Sequence, residues 1–309
     1  MGALASITLV HPDRARARAH LEDCLREVQR LEGIFSLYRA DSAISRLNAD
    51  GELRAPPNEL VELLAFGLAL SQNSAGAFDP SVQPLYRLYA NYFDAPAAAS
   101  GGPSRQAIAR VLRLVDCSAI ELRPDVIRLR RLGMAITLNG IAQGFMTDCV
   151  ADMLQAAGFV DVLVSLGEAR ALGHGPGGQA WRAGIADPRQ PERTVLELPL
   201  GGNHCALPAL ATSAGYGTQF GPDPRIHHLL NPRTGRSANH CLSVSVAALR
   251  ATLADGLSTT LAILPPGRVA AVLRSYPSTR AYLVDAGGRL TVHPAARPEA
   301  QGDMFGLRL

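Results

Sequence analysis

The hydrophobic pattern of this chain changes period many times and never settles into a strand–helix–strand rhythm. Between residues 12 and 32, Leu21, Cys24, Leu25, Val28 and Leu31 recur at three and four, one face of a helix that Gly33 would close. Between residues 241 and 247, Leu242, Val244 and Val246 alternate with polar or small neighbours, the period of a half-buried strand. Further helices are expected from near Pro57, with Leu60, Leu63, Leu64, Gly67 and Leu68 inward, and after Ser104, a candidate N-cap. Others should cover residues 141–157, 253–264 and 268–275. Short strands are expected at 6–10, 119–122, 126–129, 134–138, 160–166, 181–186, 195–198 and 204–211, with two more near the C-terminus. Residues 36–50 fit neither template, and 91–103 and 173–178 read as loops. Such a mixture argues against a Rossmann sheet and for an α+β fold. No repeat or compositional break marks a linker.

Composition removes several function classes. All 30 basic residues are arginine. Without lysine there can be no Schiff-base or pyridoxal-phosphate lysine and no Walker-type phosphate loop. The net charge is only +3 and the arginines are scattered, so no nucleic-acid footprint is expected. The five cysteines, at 24, 117, 149, 205 and 241, form no C-x-x-C pair, which argues against structural zinc. Their odd number argues against a fully paired disulfide framework and leans towards a reducing compartment. No run of about 18 apolar residues could span a membrane. The opening residues lack the charged start and cleavage site of a signal peptide.

Five segments are too polar or too glycine-rich for packing alone. The first runs through Phe35, Ser36, Leu37, Tyr38 and Arg39 to Asp41-Ser42 and Leu47-Asn48. The second is Gly76-Ala77-Phe78-Asp79-Pro80. Tyr38 and Phe78 could stack a flat heterocycle while Asp79 bonds its edge; each could also be a core aromatic or a turn acid. The third, Asn139-Gly140-Ile141-Ala142-Gln143-Gly144-Phe145, reads as a strand-to-helix turn. Its amides suit an anion and its glycines allow close approach, though an ordinary turn has the same pattern. The fourth contains His227 and His228 before Asn231-Pro232-Arg233-Thr234-Gly235. In an alternating strand one histidine would face a cleft, able to take a proton from a hydroxyl, or it could be a bonded turn histidine. The fifth carries Asp255, Ser258 and Thr259. Positions 255 and 259 stack on one helix face and suit a hard cation such as Mg²⁺; a helix cap with a back-bonded threonine is the alternative.

Taken in order, these strings resemble the ApbE family of FAD:protein FMN transferases. The resemblance runs from Met1-Gly2 through F-S-x-Y-x-x-D-S, G-A-F-D-P, G-I-A-x-G and Trp181-Arg182-Ala183-Gly184-Ile185 to H-x-x-N-P-x-T-G and A-D-x-x-x-T. It implies mixed or antiparallel sheets packed with helices, an ApbE-like (T-fold-like) domain over the whole chain, with two lobes able to flank the FAD site. It implies Mg²⁺-dependent transfer of the FMN half of FAD to a threonine or serine of an acceptor protein, releasing AMP. The resemblance puts Ala142 (through its backbone oxygen), Asp255 and Thr259 on the metal. It puts Met1, Tyr38, Ala77, Phe78, Asp79, Asn139, Gln143 and Leu229 on FAD, and makes His228 the base for the acceptor hydroxyl.

The chain departs from the family pattern at several positions. Ala3 replaces a threonine, Gln143 a lysine, Glu168 and Ala214 glycines, and Asn231 an aspartate. FAD hydrolysis to FMN and AMP, or flavin binding without turnover, would use much of the same site. The resemblance also implies a periplasmic location or the outer face of the inner membrane, with peripheral or lipid anchoring through a leader preceding Met1; a cytoplasmic location is the alternative. All of this requires the 139–144 segment and the 255–259 helix face to meet at one crevice.

Overall fold

The computed structural model describes residues 5–96, 99–202 and 207–294. The N-terminal part holds β1 (Ala5–Leu9), α1 (Arg14–Phe35), α2 (Ala43–Asp50), β2 (Glu52–Arg54), α3 (Asn58–Asn73), α4 (Gln83–Phe93) and α5 (Arg105–Leu112). The middle holds β3 (Ile120–Leu122), β4 (Val126–Leu129), α6 (Asn139–Ala156), β5 (Val162–Leu166), β6 (Ala169–Leu172), β7 (Trp181–Asp187) and β8 (Gln190–Leu200). Then come β9 (Ala209–Ala214), β10 (Cys241–Ala248), α7 (Ala251–Ile263), α8 (Pro266–Leu273), β11 (Arg280–Asp285) and β12 (Leu290–His293).

The strands form a seven-stranded sheet in the order β1-β5-β6-β9-β10-β11-β12, antiparallel at every joint. Two small antiparallel sheets, β2-β4-β3 and the β7-β8 ribbon, stand apart from it. The architecture is therefore α+β. On one face of the large sheet, α6 lies against β5 and β6, and α7 against β9 and β10. Val244 and Val246 of β10 join the main core on that face, while Ala247 joins Trp181, Leu210 and Tyr282 on the other. Alternate residues of β10 are thus apolar for two different cores.

Two glycines let α6 and α7 approach closely. A Cβ at position 144 would overlap the Ala251 carbonyl and stand 2.8 Å from Asp255 Cβ. One at position 140 would stand 3.0 Å from Thr259 Oγ1. The sequence pattern assigned these glycines to a turn open to a ligand. In the structure α6 already begins at Asn139, and both glycines serve helix packing. Asp148 of α6 accepts from the Ala251 and Thr252 amides (3.0 and 2.9 Å) and so caps the start of α7. Arg170 pairs with Asp148 at 2.9 Å and with Asp152 at 2.7 Å, and Arg250 also grips Asp152.

Other expectations need correction. Residues 134–138 form no strand. In place of a ladder, the Asn48 side chain both accepts from Ile136 N–H and donates to its carbonyl, and Pro80 O accepts from Thr137 N–H. The 36–50 stretch contains α2, capped by Ser42 Oγ and closed by Gly51 at φ +75. Its two turns bury too few apolar residues for the period to stand out. Helix α4 has no counterpart among the helices expected from the sequence pattern. The strand expected at 204–211 runs over Ala209–Ala214, and positions 203–206 lie outside the described residues. Tyr89 of α4 donates to the Gly235 carbonyl at 2.9 Å and so anchors the loop after the paired histidines.

The glycine contacts make opposite predictions for two helices. Gly144→Ala should lose about 1–3 kcal/mol or more in a denaturant melt, because backbone cannot move aside. Gly33 does not close α1 as its sequence position suggests, since the helix runs on to Phe35; Gly33→Ala, where an added Cβ meets nothing within 4 Å, should gain about 0.5–1 kcal/mol. Equal effects at the two positions would contradict the packing argument.

Candidate functional site

A cavity of about 520 Å³ opens where the start of α6, the Asp255–Thr259 face of α7, the end of β9 and the loops near residues 36, 79 and 228 converge. Tyr38, Phe78, Asp79, Asn139, Ala142, Gln143, His228, Leu229, Asp255 and Thr259 all line it. Ala77 is buried and does not border the cavity, and Met1 lies outside the described residues.

The floor is built from oxygen. Asp255 is only 4% exposed, and its Oδ2 accepts from the Gly144 amide at 3.0 Å. It caps nothing: it is the fifth residue of α7, and Asp148 performs the capping. Nor does Thr259 bond backwards; that role belongs to Thr260, whose hydroxyl donates to the Gly256 carbonyl at 2.6 Å. Instead Thr259 borders the cavity, with its Oγ1 3.1 Å from Ser213 Oγ. Ser258 is turned inward, 2.8 Å from the same Ser213 hydroxyl and donating to Asp255 O.

Glu168, on the turn between β5 and β6, adds a second carboxylate. It is 8% exposed, and its Oε2 accepts from Thr212 N–H at 3.2 Å. Burial lifts both carboxyls above the usual carboxylate range. The charge of Asp255 lifts Glu168 further, whereas the Gly144 N–H partly offsets the effect at Asp255. Among the described residues no arginine or histidine pairs with either acid. Arg170, two residues after Glu168, is taken by Asp148 and Asp152. Also among the described residues, no three His, Cys, Asp or Glu side chains gather as a metal cluster. The floor is two carboxylates with hydroxyls, a set that suits a hard cation able to complete its shell elsewhere.

The walls differ from the sequence expectations in detail. The histidines sit not in a regular strand but in a loop stitched by isolated bridges, Gln219 to His227 and Leu230 to Ser237. His227 is 3% exposed, its Nδ1 accepts from Leu229 N–H, and burial pushes it down to about 4. His228 borders the cavity, with Nδ1 3.1 Å from the Thr218 carbonyl. A carbonyl only accepts, so the proton sits on Nδ1 and the Nε2 lone pair is left for other work. Burial also lowers the His228 pKa, which favours the neutral ring.

Asp79 borders the cavity and is a turn acid as well. Its Oδ1 accepts from Ser81 N–H and Oγ–H, and its Oδ2 from Cys117 N–H. Burial raises its pKa against those three donors. Phe78 is a core aromatic with one edge at the cavity, whereas Tyr38 stands 82% exposed at the rim. Gln143 donates to the Leu166 carbonyl at 3.4 Å and covers Gly167, whose φ of +103 and lack of a side chain leave it room. The anion turn is weaker than expected. The amides of Ile141 and Ala142 are taken by the Leu138 carbonyl, and that of Asn139 by Thr137 Oγ1. Sequence reasoning missed Tyr86, Thr212 and Tyr216 as lining residues. Tyr86 lies on the unanticipated α4. Tyr216 follows β9 in the glycine-flanked turn Gly215-Tyr216-Gly217, a signal that could have drawn attention to it.

Comparison with known proteins places this geometry among relatives. The model of the ApbE family matches residues 1–293. A FAD:protein FMN transferase of Treponema pallidum (strain Nichols) is 31% identical over 299 residues, covering 89% of this chain and 80% of that protein. One from Klebsiella pneumoniae (strain 342) is 27% identical, covering 89% and 79%. The apo crystal structure of the Pseudomonas stutzeri flavinyl transferase ApbE matches with a TM-score of 0.78 at 28% identity, over 96% of this chain and 93% of that one. The flavin transferase ApbE of Vibrio cholerae matches with a TM-score of 0.80, over 96% and 94% of the two chains, and at 24% identity it speaks for the fold alone. With the family model covering nearly all of its length, the chain belongs to the ApbE family.

Proposed function

We propose that this chain transfers the FMN half of FAD to a threonine or serine hydroxyl of an acceptor protein and releases AMP. The observation that carries the reading is the cavity lining: buried carboxylates with no counter-cation among the described residues, beside hydroxyls, in the same cavity as a histidine with a free nitrogen. Kinship with proteins named FAD:protein FMN transferase supports it.

The donor set fits Mg²⁺, which would be held by Asp255, Thr259 and the Ala142 backbone oxygen. Bound there, the ion would neutralise charge on the bridging phosphates. The chain's own residues do the rest. His228 Nε2 takes the proton of the acceptor hydroxyl as its oxygen forms a bond to the FMN phosphorus. The bond from that phosphorus to the AMP oxygen breaks, and AMP leaves with the electron pair. The Thr218 carbonyl keeps His228 in the tautomer that can accept this proton. Tyr38, Phe78 and Asp79 line the wall where a flat ring would stack and bond, with Asn139, Gln143 and Leu229 around it. Met1 and Ala77 enter this reading by family resemblance alone. We also propose, on that resemblance, a periplasmic location; among the described residues no helix is long and apolar enough to cross a membrane.

The test is incubation with FAD, Mg²⁺ and an acceptor domain, read by mass spectrometry. An FMN mass on a threonine or serine is the expected result; free FMN and AMP without an adduct would mark hydrolysis instead. Asp255→Asn should slow transfer by ~100-fold or more, since a metal ligand supplies several kcal/mol. Its melting temperature without metal should not fall, because the Gly144 N–H keeps an acceptor and an uncompensated buried charge is gone. His228→Gln should slow transfer by ~10²–10⁴-fold while FAD binding, read by fluorescence quenching, stays near wild type. Full activity in either variant would remove that residue from the reaction.

A further inference from the structure

The chain treats its buried acids in two ways. Asp148 is fully compensated: its side chain is 1% exposed, Arg170 and Arg250 pair with it, and it accepts from two backbone amides and the Thr252 hydroxyl. Glu168 is also more than nine-tenths buried, yet among the described residues it receives one backbone N–H on Oε2, nothing on Oε1, and no cation. It lines the same cavity as Asp255. Its anchor, Thr212, precedes Ser213, whose hydroxyl touches both Ser258 and Thr259. The Glu168 carboxylate is thereby anchored one residue from the hydroxyl that meets the oxygen face of α7, in the same cavity. An unpaired ion in such a place is costly unless a mobile cation answers it.

We propose that Glu168 is a second carboxylate of the cation seat, so that this chain holds its divalent ion before any nucleotide arrives. This deepens the reading of the preceding section and rests on its cation site. With Asp255 alone, the seat would offer one charge and need the phosphates to complete it. With Glu168 added, directly or through a bound water, two charges and the Thr259 hydroxyl come from the chain itself. Glu168 is a positioning residue for the ion; it touches no reacting atom.

The experiment is calorimetric titration of MnCl₂ into the nucleotide-free full chain. The wild type should bind one ion per chain. Glu168→Gln should weaken binding at least tenfold, with an unchanged melting curve in the absence of metal, because its amide oxygen can still accept from Thr212 N–H. Glu168→Asp, which keeps the charge, should recover part of the loss, a recovery that a merely structural role would not give. Wild-type affinity in Glu168→Gln, alongside lost affinity in Asp255→Asn, would overturn the inference and leave the functional reading standing. Failure of the wild type to bind Mn²⁺ without nucleotide would also overturn it, whether or not the variants fold. The functional reading is judged separately, by whether the wild type places FMN on an acceptor.

Discussion

The close seam between α6 and α7 governs the geometry of everything around it. At Gly144 the two backbones approach with no side chain between them, and the amide of that residue reaches the Asp255 carboxylate. Any larger residue would push α7 outward and carry Asp255 and Thr259 with it. Asp148, one turn further along α6, fixes the start of α7 from the same helix. The seam is thus a short rigid frame, and the cavity floor is its exposed end.

Charge placement divides the frame into a structural half and a chemical half. At the Asp148 end, arginines answer the acids and amides fill the remaining acceptor positions. At the Asp255 end, the two acids each accept from one backbone amide but, among the described residues, have no arginine beside them, which costs stability in the isolated chain. Folded structures tolerate such costs where a ligand answers them. The His228 ring in the same cavity, which burial favours in its neutral form, is consistent with this division: a base is needed there, and another positive charge is not.

Local periodicity was legible in the residues; contacts between distant segments were not. The four-residue spacing of Asp255 and Thr259 puts both on one face of α7 with no knowledge of the fold, because helix geometry alone decides it. Whether Ser258, Thr259 or Thr260 would face the cavity depends on how α7 is rotated against β9, which no local pattern encodes. Asn48 looked like part of a polar stretch, yet it serves as a substitute strand edge for Ile136, 88 positions away. The sequence around Gly140 and Gly144 suits an open ligand turn equally well, because a glycine pair looks the same before a phosphate and before a neighbouring helix. Only the partner helix, more than a hundred residues later, separates the two meanings.

The claim at the centre of this account is that a divalent ion sits where the α6–α7 seam meets the cavity. Crystals soaked in MnCl₂ and measured for anomalous scattering would locate it directly. The account predicts a single strong peak within coordination distance of the Asp255 carboxylate and Thr259 Oγ1. A fully soaked crystal with no peak at that position, or with its only strong peak elsewhere on the chain, would contradict it.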